Sequence, residues 1–186
     1  MNRLYIALIA ILLCGCNKTH KMKSITQTDT QLIINTPQFE VTVPGVWLEQ
    51  KQPADSTIYC GRLIEGDVSK QLIISGHLLV PGLPDEERRK AFEDMLSYRT
   101  ETEKEVTKNA AQVYEEPVRE HDGLLAGGYI AVHPSAARVV FSRLICDHEK
   151  AFNFYYEMWG FREKPDIKQL SVEFEAFMET AGLKSE

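Results

Sequence analysis

Positive charge and long hydrophobic runs are both scarce in this chain. Its 186 residues include 21 Lys and Arg against 27 Asp and Glu, which gives a formal net charge of −6. Nucleic-acid binding requires clustered Lys and Arg, so the composition argues against a nucleic-acid partner. The apolar run from Leu4 to Leu13 would rise only about 15 Å as a helix, whereas a bilayer core is about 30 Å thick. This run is therefore too short to be a membrane-spanning helix.

The motifs of common catalytic and metal sites are missing as well. The chain contains no GxSxG elbow, no HExxH pair, no CxxC and no glycine-rich phosphate loop. No two of its five histidines have a metal-ligand spacing, and we interpret His77 and His133, near strand ends, as structural. Glu115 and Glu116 alternate along a strand and point to opposite faces. We therefore predict a protein that is not an enzyme, with no catalytic residue, no metal and no cofactor.

The first sixteen residues have the layout of a secretory signal. Arg3 precedes the apolar run, and Leu13-Cys14-Gly15-Cys16 follows it directly. The tetrapeptide resembles a bacterial lipobox, whose Cys is acylated before a peptidase cleaves in front of it. The resemblance implies that residues 1–15 form a lipoprotein signal peptide and that Cys16 carries the acyl chains, palmitate among them, that hold the protein in a membrane. Ordinary secretory cleavage is the alternative.

The residues after Cys16 predict where the protein lies. In lipoproteins of the enteric type an Asp after the acylated Cys retains the protein at the inner membrane, and this chain has Asn17 there. The resemblance therefore implies the bacterial cell envelope, on the periplasmic side, with the outer membrane favoured over the inner one. Residues up to 31 contain little to bury, so we predict a lipidated Cys and flexible tether over residues 16–31, with a reach of about 20 Å. Residues 32–186 are predicted to form one globular domain.

Two cysteines remain once Cys14 has left with the signal and Cys16 has taken the lipid. Cys60 and Cys146 form an even pair in an oxidising compartment, which would allow a disulfide. The alternative is two buried thiols in neighbouring strands, because Cys is among the most buried residue types. The sequence leaves both interpretations open.

Alternating and helical patterns predict an α+β fold with seven strands and two helices. The predicted strands are 39–43, 57–64, 71–80, 112–120, 124–133, 138–146 and 151–161. The first helix begins at Pro84, and Phe92, Met95, Leu96, Arg99 and Val106 recur in it at helical spacing. Its charged residues are interpreted as a solvated face. The second helix begins at Pro165 and stops at Gly182, so the predicted order of elements is β-β-β-α-β-β-β-β-α.

The predicted strand 151–161 is apolar on both faces. Phe152, Phe154 and Tyr156 lie on one face, while Tyr155 and Trp159 lie on the other. A central strand that is covered on both sides explains this pattern. The alternative is that Tyr155 and Trp159 form part of an exposed surface for a partner.

The order of elements resembles the PsbP-like superfamily. The segment Val41-Thr42-Val43-Pro44-Gly45-Val46-Trp47 and the Phe-rich helix over 167–183 carry the resemblance. The superfamily includes photosystem PsbP, the bacterial DcrB lipoproteins and the Eag chaperones of type VI secretion. The resemblance implies one antiparallel sheet that is flanked by the two helices and serves as a binding platform without catalytic residues. The lipobox favours a DcrB-like domain.

These observations together predict a membrane-anchored periplasmic lipoprotein that acts as a non-enzymatic protein-binding domain. Its membrane contact would be the lipid on Cys16, and its partner a protein of the envelope. Two alternatives stay open. One is an immunity lipoprotein that neutralises a secreted effector acting in the periplasm, and the other is a factor for assembly or maintenance of the cell envelope.

Overall fold

The structure, a computed structural model, describes residues 24–80, 82–106, 110–133 and 137–183. These residues form eleven β-strands and two α-helices. The chain divides into two compact units. Within the described residues, the small unit comprises 24–46 and 175–183, and the large unit comprises Trp47–Phe174. The globular domain over residues 32–186 stays a prediction.

The small unit contains a four-stranded antiparallel sheet in the order β1-β2-β3-β11. Its strands are β1 Ser24–Gln27, β2 Gln31–Asn35, β3 Phe39–Pro44 and β11 Gly182–Leu183. Alternate residues of β2 and β3 are buried, among them Ile34, Phe39 and Val41. Thr180 joins the C-terminal segment to β3, since its hydroxyl accepts from Thr42 N at 3.0 Å and lies 2.9 Å from Thr42 O.

The start of this unit differs from the sequence prediction. Strand β1 and the first residue of β2, Gln31, lie within the segment predicted as a flexible tether. Only Ile25 in β1 is apolar, so hydrophobic alternation gives no signal for this strand. Backbone pairing with β2 holds it, and Gln27 Nε2 donates to Gly45 O at 3.1 Å. The signal peptide, the lipidation residue Cys16 and the rest of the tether up to residue 23 lie outside the described residues.

The large unit contains a seven-stranded antiparallel sheet in the order β4-β5-β6-β10-β9-β8-β7. Its strands are β4 Leu48–Glu49, β5 Thr57–Glu65, β6 Val68–Leu78, β7 Gln112–His121, β8 Leu124–His133, β9 Arg138–Cys146 and β10 Lys150–Trp159. The predicted α+β class with antiparallel strands is confirmed. The prediction of one sheet is wrong, because β3 belongs to the small unit and β4 occupies the edge beside β5.

Two helices accompany the sheets, and neither is both long and apolar enough to cross a membrane within the described residues. Helix α1, Asp85–Val106, starts with three acids in its first turn, which suits the positive end of the helix dipole. Helix α2, Ile167–Glu179, is capped by Asp166, whose side chain accepts from the backbone N–H of Lys168 at 3.0 Å. Both helices were predicted from Pro and acidic residues at their starts.

Helix α1 lies close against strands β8 and β9. Its Phe92 is fully buried with Leu125, Leu144 and Cys146. A Cβ atom at Gly127 in β8 would lie 3.2 Å from both Phe92 and Leu96, so the missing side chain permits this close approach. The helix therefore covers one face of the sheet and forms one side of the candidate site.

Cys60 and Cys146 are free, buried thiols rather than a disulfide. Cys60 lies in β5 and Cys146 in β9, and strands β6 and β10 separate them. Neighbouring strands are about 4.8 Å apart, so three steps across the sheet span about 14 Å, beyond the limit of about 7 Å between bridged Cα atoms. A bridge between Cys60 and Cys146 is thus not formed, and the strands that carry the two thiols are not neighbours.

Candidate functional site

The second half of α1 covers a cluster of charged and polar side chains on the sheet. Glu103 of α1 is buried and receives hydrogen bonds from Tyr155 Oη at 3.1 Å and Arg138 Nη1 at 3.2 Å. His133 Nε2 lies 3.3 Å from the same carboxylate. Tyr155, Arg138 and His133 come from β10, β9 and β8, so the cluster depends on the register of three adjacent strands.

Arg138 is the centre of this cluster. It pairs with Glu157 as well as Glu103, and its Nη2 donates to Tyr155 Oη at 2.6 Å. Burial alone would lower the pKa of Arg138, but Tyr155, Glu157 and Glu103 outweigh burial and raise it. Arg138 is therefore a permanent cation that holds two carboxylates in place.

Burial fixes the protonation states of the surrounding aromatic and imidazole groups. Burial, assisted by Glu103, raises the pKa of Tyr129 to about 12. Burial and then Glu157 raise the pKa of Tyr155 further. The pKa of His133 is lowered by burial and by Arg138, against the opposing effect of Glu103. At neutral pH both tyrosines are therefore protonated and His133 is neutral.

An open cavity of about 410 Å³ adjoins the cluster. Three tyrosine rings, a thioether, an imidazole and a guanidinium form most of its wall. The residues that contribute them are Tyr98, Tyr129, Tyr155, Met95, His77 and Arg99. The volume lies within the range of about 300–1,000 Å³ that is typical of small-ligand sites.

Arg99 differs from the other charged groups at this site. Its Nη2 lies 3.2 Å from His77 Nε2, and its buried Nε has no hydrogen-bond partner within the described part of the chain. Burial lowers the pKa of Arg99, and the neighbouring tyrosines partly oppose the effect. Burial and then Arg99 lower the pKa of His77, which leaves a neutral imidazole that can accept from the guanidinium.

The structure places the two residues of the predicted partner surface differently. β10 is the central strand of the seven, as predicted for a strand that is apolar on both faces. Tyr155 is half-buried under α1 and reaches the cavity, with its hydroxyl bonded inside the cluster. Trp159 is half-buried too, and the guanidinium carbon of Arg62 lies 5.3 Å from its ring centroid. The cavity wall includes Tyr155 but not Trp159.

The opposite face of β10 is covered by aromatic packing. Phe174 of α2 stacks on Phe141 with ring centroids 5.2 Å apart and on Tyr156 with centroids 6.2 Å apart. On the other face, Tyr155 is covered by Glu103 of α1. The central position that was predicted for this strand is confirmed, with one face buried and the other half-buried.

Sequence analysis missed most of this site. The charges of α1 were interpreted as solvated, yet Arg88 and Glu103 are buried. Both residues fall on the same helical stripe as Phe92 and Leu96. Their position on this stripe indicates from the sequence that they are buried. Arg99 was recognised at helical spacing with the apolar residues, but a binding role was not inferred for it.

The chain matches no protein-family model, and it matches no curated protein. Among the side chains that the structure describes, no group of three or more His, Cys, Asp and Glu is arranged to hold a metal ion. The site must therefore be interpreted from its own geometry.

Proposed function

We propose that this protein is a lipid-anchored envelope protein whose folded part binds another protein without catalysing a reaction. The anchor is the lipid on Cys16, and the folded part faces the periplasm, with the outer membrane favoured. The element order and the antiparallel seven-stranded sheet support a DcrB-like domain of the PsbP-like superfamily. In this proposal the cavity under α1 is the binding site.

The observation that carries the proposal is the bonding state of the ionisable groups around the cavity. A general acid or base needs a pKa near the working pH and access to the substrate. Glu103 is instead engaged by Arg138 and Tyr155, and the pKa of Tyr129 is about 12. Such a site offers fixed donors and aromatic walls, which suit recognition better than proton transfer.

Photo-crosslinking from the cavity rim tests the binding function. Tyr98 lies at the rim with 74% of its surface exposed, and Tyr114 on edge strand β7 is 55% exposed. We expect a photoreactive phenylalanine at position 98 of the full chain to yield one discrete protein adduct in intact envelopes. The same substitution at position 114 serves as the matched control and should yield none. Equal adducts at both positions, or no adduct at position 98, would contradict the proposal.

Metabolic labelling tests the anchor. We expect the wild-type chain to incorporate an alkyne-tagged palmitate and to stay in the membrane fraction through salt washes, because several acyl chains anchor a protein stably. Cys16→Ala should lose the label and leave the washed membranes. Cys14→Ala is the control, since it removes the neighbouring thiol and should keep the label. Labelled Cys16→Ala would show that the lipid is attached elsewhere.

A further inference from the structure

Among the buried and partly buried arginines of the described residues, Arg99 differs from the others in its ion pairing. Arg88 pairs with Glu120, Arg138 with Glu103, and Arg143 with Glu116. Arg99 makes no ion pair with any acid that the structure describes, and its one polar contact is the neutral His77. Outside the described ranges the sequence has a single acid, Glu186. This guanidinium therefore lacks the anion that each comparable arginine has.

A partly buried cation without a counterion is unfavourable, because it has lost part of its hydration and no ion pair compensates for the loss. A guanidinium has five N–H donors arranged as a planar fork, and carboxylates accept two of them at once. The contact with His77 uses Nη2, so the other donors of Arg99 are not committed to an acid. An anion from outside the chain would supply the missing partner.

The walls of the cavity define the rest of the ligand. Tyr98, Tyr129 and Tyr155 present aromatic rings, and Met95 adds a polarizable thioether. Glu103 also reaches the wall, and its negative charge disfavours a dianion such as phosphate. A ligand with a single negative charge and an apolar body suits both the aromatic walls and the nearby charge of Glu103.

We propose that Arg99 binds the carboxylate of a ligand whose adjoining body is apolar or aromatic. The carboxylate accepts from the guanidinium, and the apolar body occupies the space between the tyrosine rings. Two sources have this chemistry, a free organic acid and the C-terminus of a protein chain that ends in an apolar residue. The inference deepens the proposed function, because it names the group that the cavity recognises.

Calorimetric titration of the full-length, detergent-solubilised protein tests the inference. The probes are N-acetyl-L-phenylalanine, its uncharged amide, decanoate, and the peptide acetyl-Ala-Ala-Phe with a free carboxylate. We expect the acid to bind at least about tenfold more tightly than the amide, since the amide has no negative charge and only one oxygen that can accept from the guanidinium. Tighter binding of the peptide than of decanoate identifies a chain terminus as the source, and the reverse order identifies a free acid.

Arginine variants supply the second comparison. Arg99→Met should weaken binding of N-acetyl-L-phenylalanine by at least about tenfold and weaken binding of the amide much less, because only the acid forms a charge-assisted pair with the guanidinium. Arg62→Met is the matched control, because Arg62 lies beside Trp159 and not in the cavity wall. Equal affinity for acid and amide in the wild-type protein, or unchanged acid binding in Arg99→Met, would overturn the inference. The acid and amide comparison needs no variant and holds even if Arg99→Met folds poorly.

The two proposals fail in different ways. An adduct at position 98 that persists unchanged in Arg99→Met would support the protein-binding function. It would refute the inference that Arg99 binds a carboxylate of the partner. Binding of acids that depends on Arg99, without any adduct at position 98, would retain the carboxylate site and refute the protein partner. Each result therefore decides one proposal separately.

Discussion

Arg138→Met is expected to destabilise the large unit by about 3–5 kcal/mol. The substitution leaves Glu103 and Glu157 sheltered without their cation, and the side chains of the two acids are only 10% and 17% exposed. Breaking a buried ion pair from one side has this effect because the remaining charge has lost both water and partner. Both tryptophans of the chain, Trp47 and Trp159, lie in the large unit. Urea unfolding followed by tryptophan fluorescence therefore measures the change.

The same chemical change at the surface provides the control. Arg162 pairs with Asp67 at 2.6 Å, but its side chain is 79% exposed. We expect Arg162→Met to change the free energy of unfolding by no more than about 0.5 kcal/mol. Adding Glu103→Gln and Glu157→Gln to Arg138→Met should recover part of the loss, because no charge is then left uncompensated. Equal losses in Arg138→Met and Arg162→Met would refute the central role of Arg138.

Phe92→Ala is expected to cost about 3–5 kcal/mol of stability as well. The ring is 0% exposed and packs with Leu125, Leu144 and Cys146, so its removal leaves a cavity between α1 and the sheet. The expected shift of the urea midpoint is read from the same tryptophan signal. Tyr98→Ala, on the same helix but 74% exposed, should change stability by no more than about 0.5 kcal/mol.

A double-mutant cycle sharpens this prediction. A Cβ atom at Gly127 would lie 3.2 Å from Phe92, so Gly127→Ala alone should be destabilising. In the Phe92→Ala background part of that crowding is removed, and the loss from Gly127→Ala should become smaller. Additive losses would show that Gly127 does not set the distance between α1 and β8.

Much of the secondary structure could be predicted because its patterns are local. Pro84 and the following acids mark the start of α1, and apolar runs that are bounded by turn residues, such as Asp122-Gly123, mark most strands of the large sheet. Strands β1, β2, β4 and β11 escaped prediction. β1 has one apolar residue, β4 and β11 have two residues each, and the apolar residues of β2 are adjacent rather than alternating. The assignment of β3 to a separate sheet could not be predicted either, because alternation shows which face is buried and not which strand is the neighbour.

The candidate site was harder to predict than the fold because it is assembled across strands. Tyr129 pairs with Ser142, and Ser142 with Tyr155, which sets three polar side chains in a row on one face. A sequence shows the face of each residue within its own strand, but not the register between strands. The burial of Glu103 could have been inferred from its helical stripe, whereas its contact with Arg138 depends on that register.

The strand order of the large sheet has a consequence for how the protein folds. β4, β5 and β6 are joined as consecutive hairpins, and so are β7, β8, β9 and β10. The two sets meet only where β6 pairs with β10, in a register that sets Ser69 opposite Trp159. Each set can form from local contacts, whereas this seam closes a long loop and is slow to form. Newly made chains therefore leave one edge of β6 unpaired until β10, the last strand of this sheet, has been synthesised.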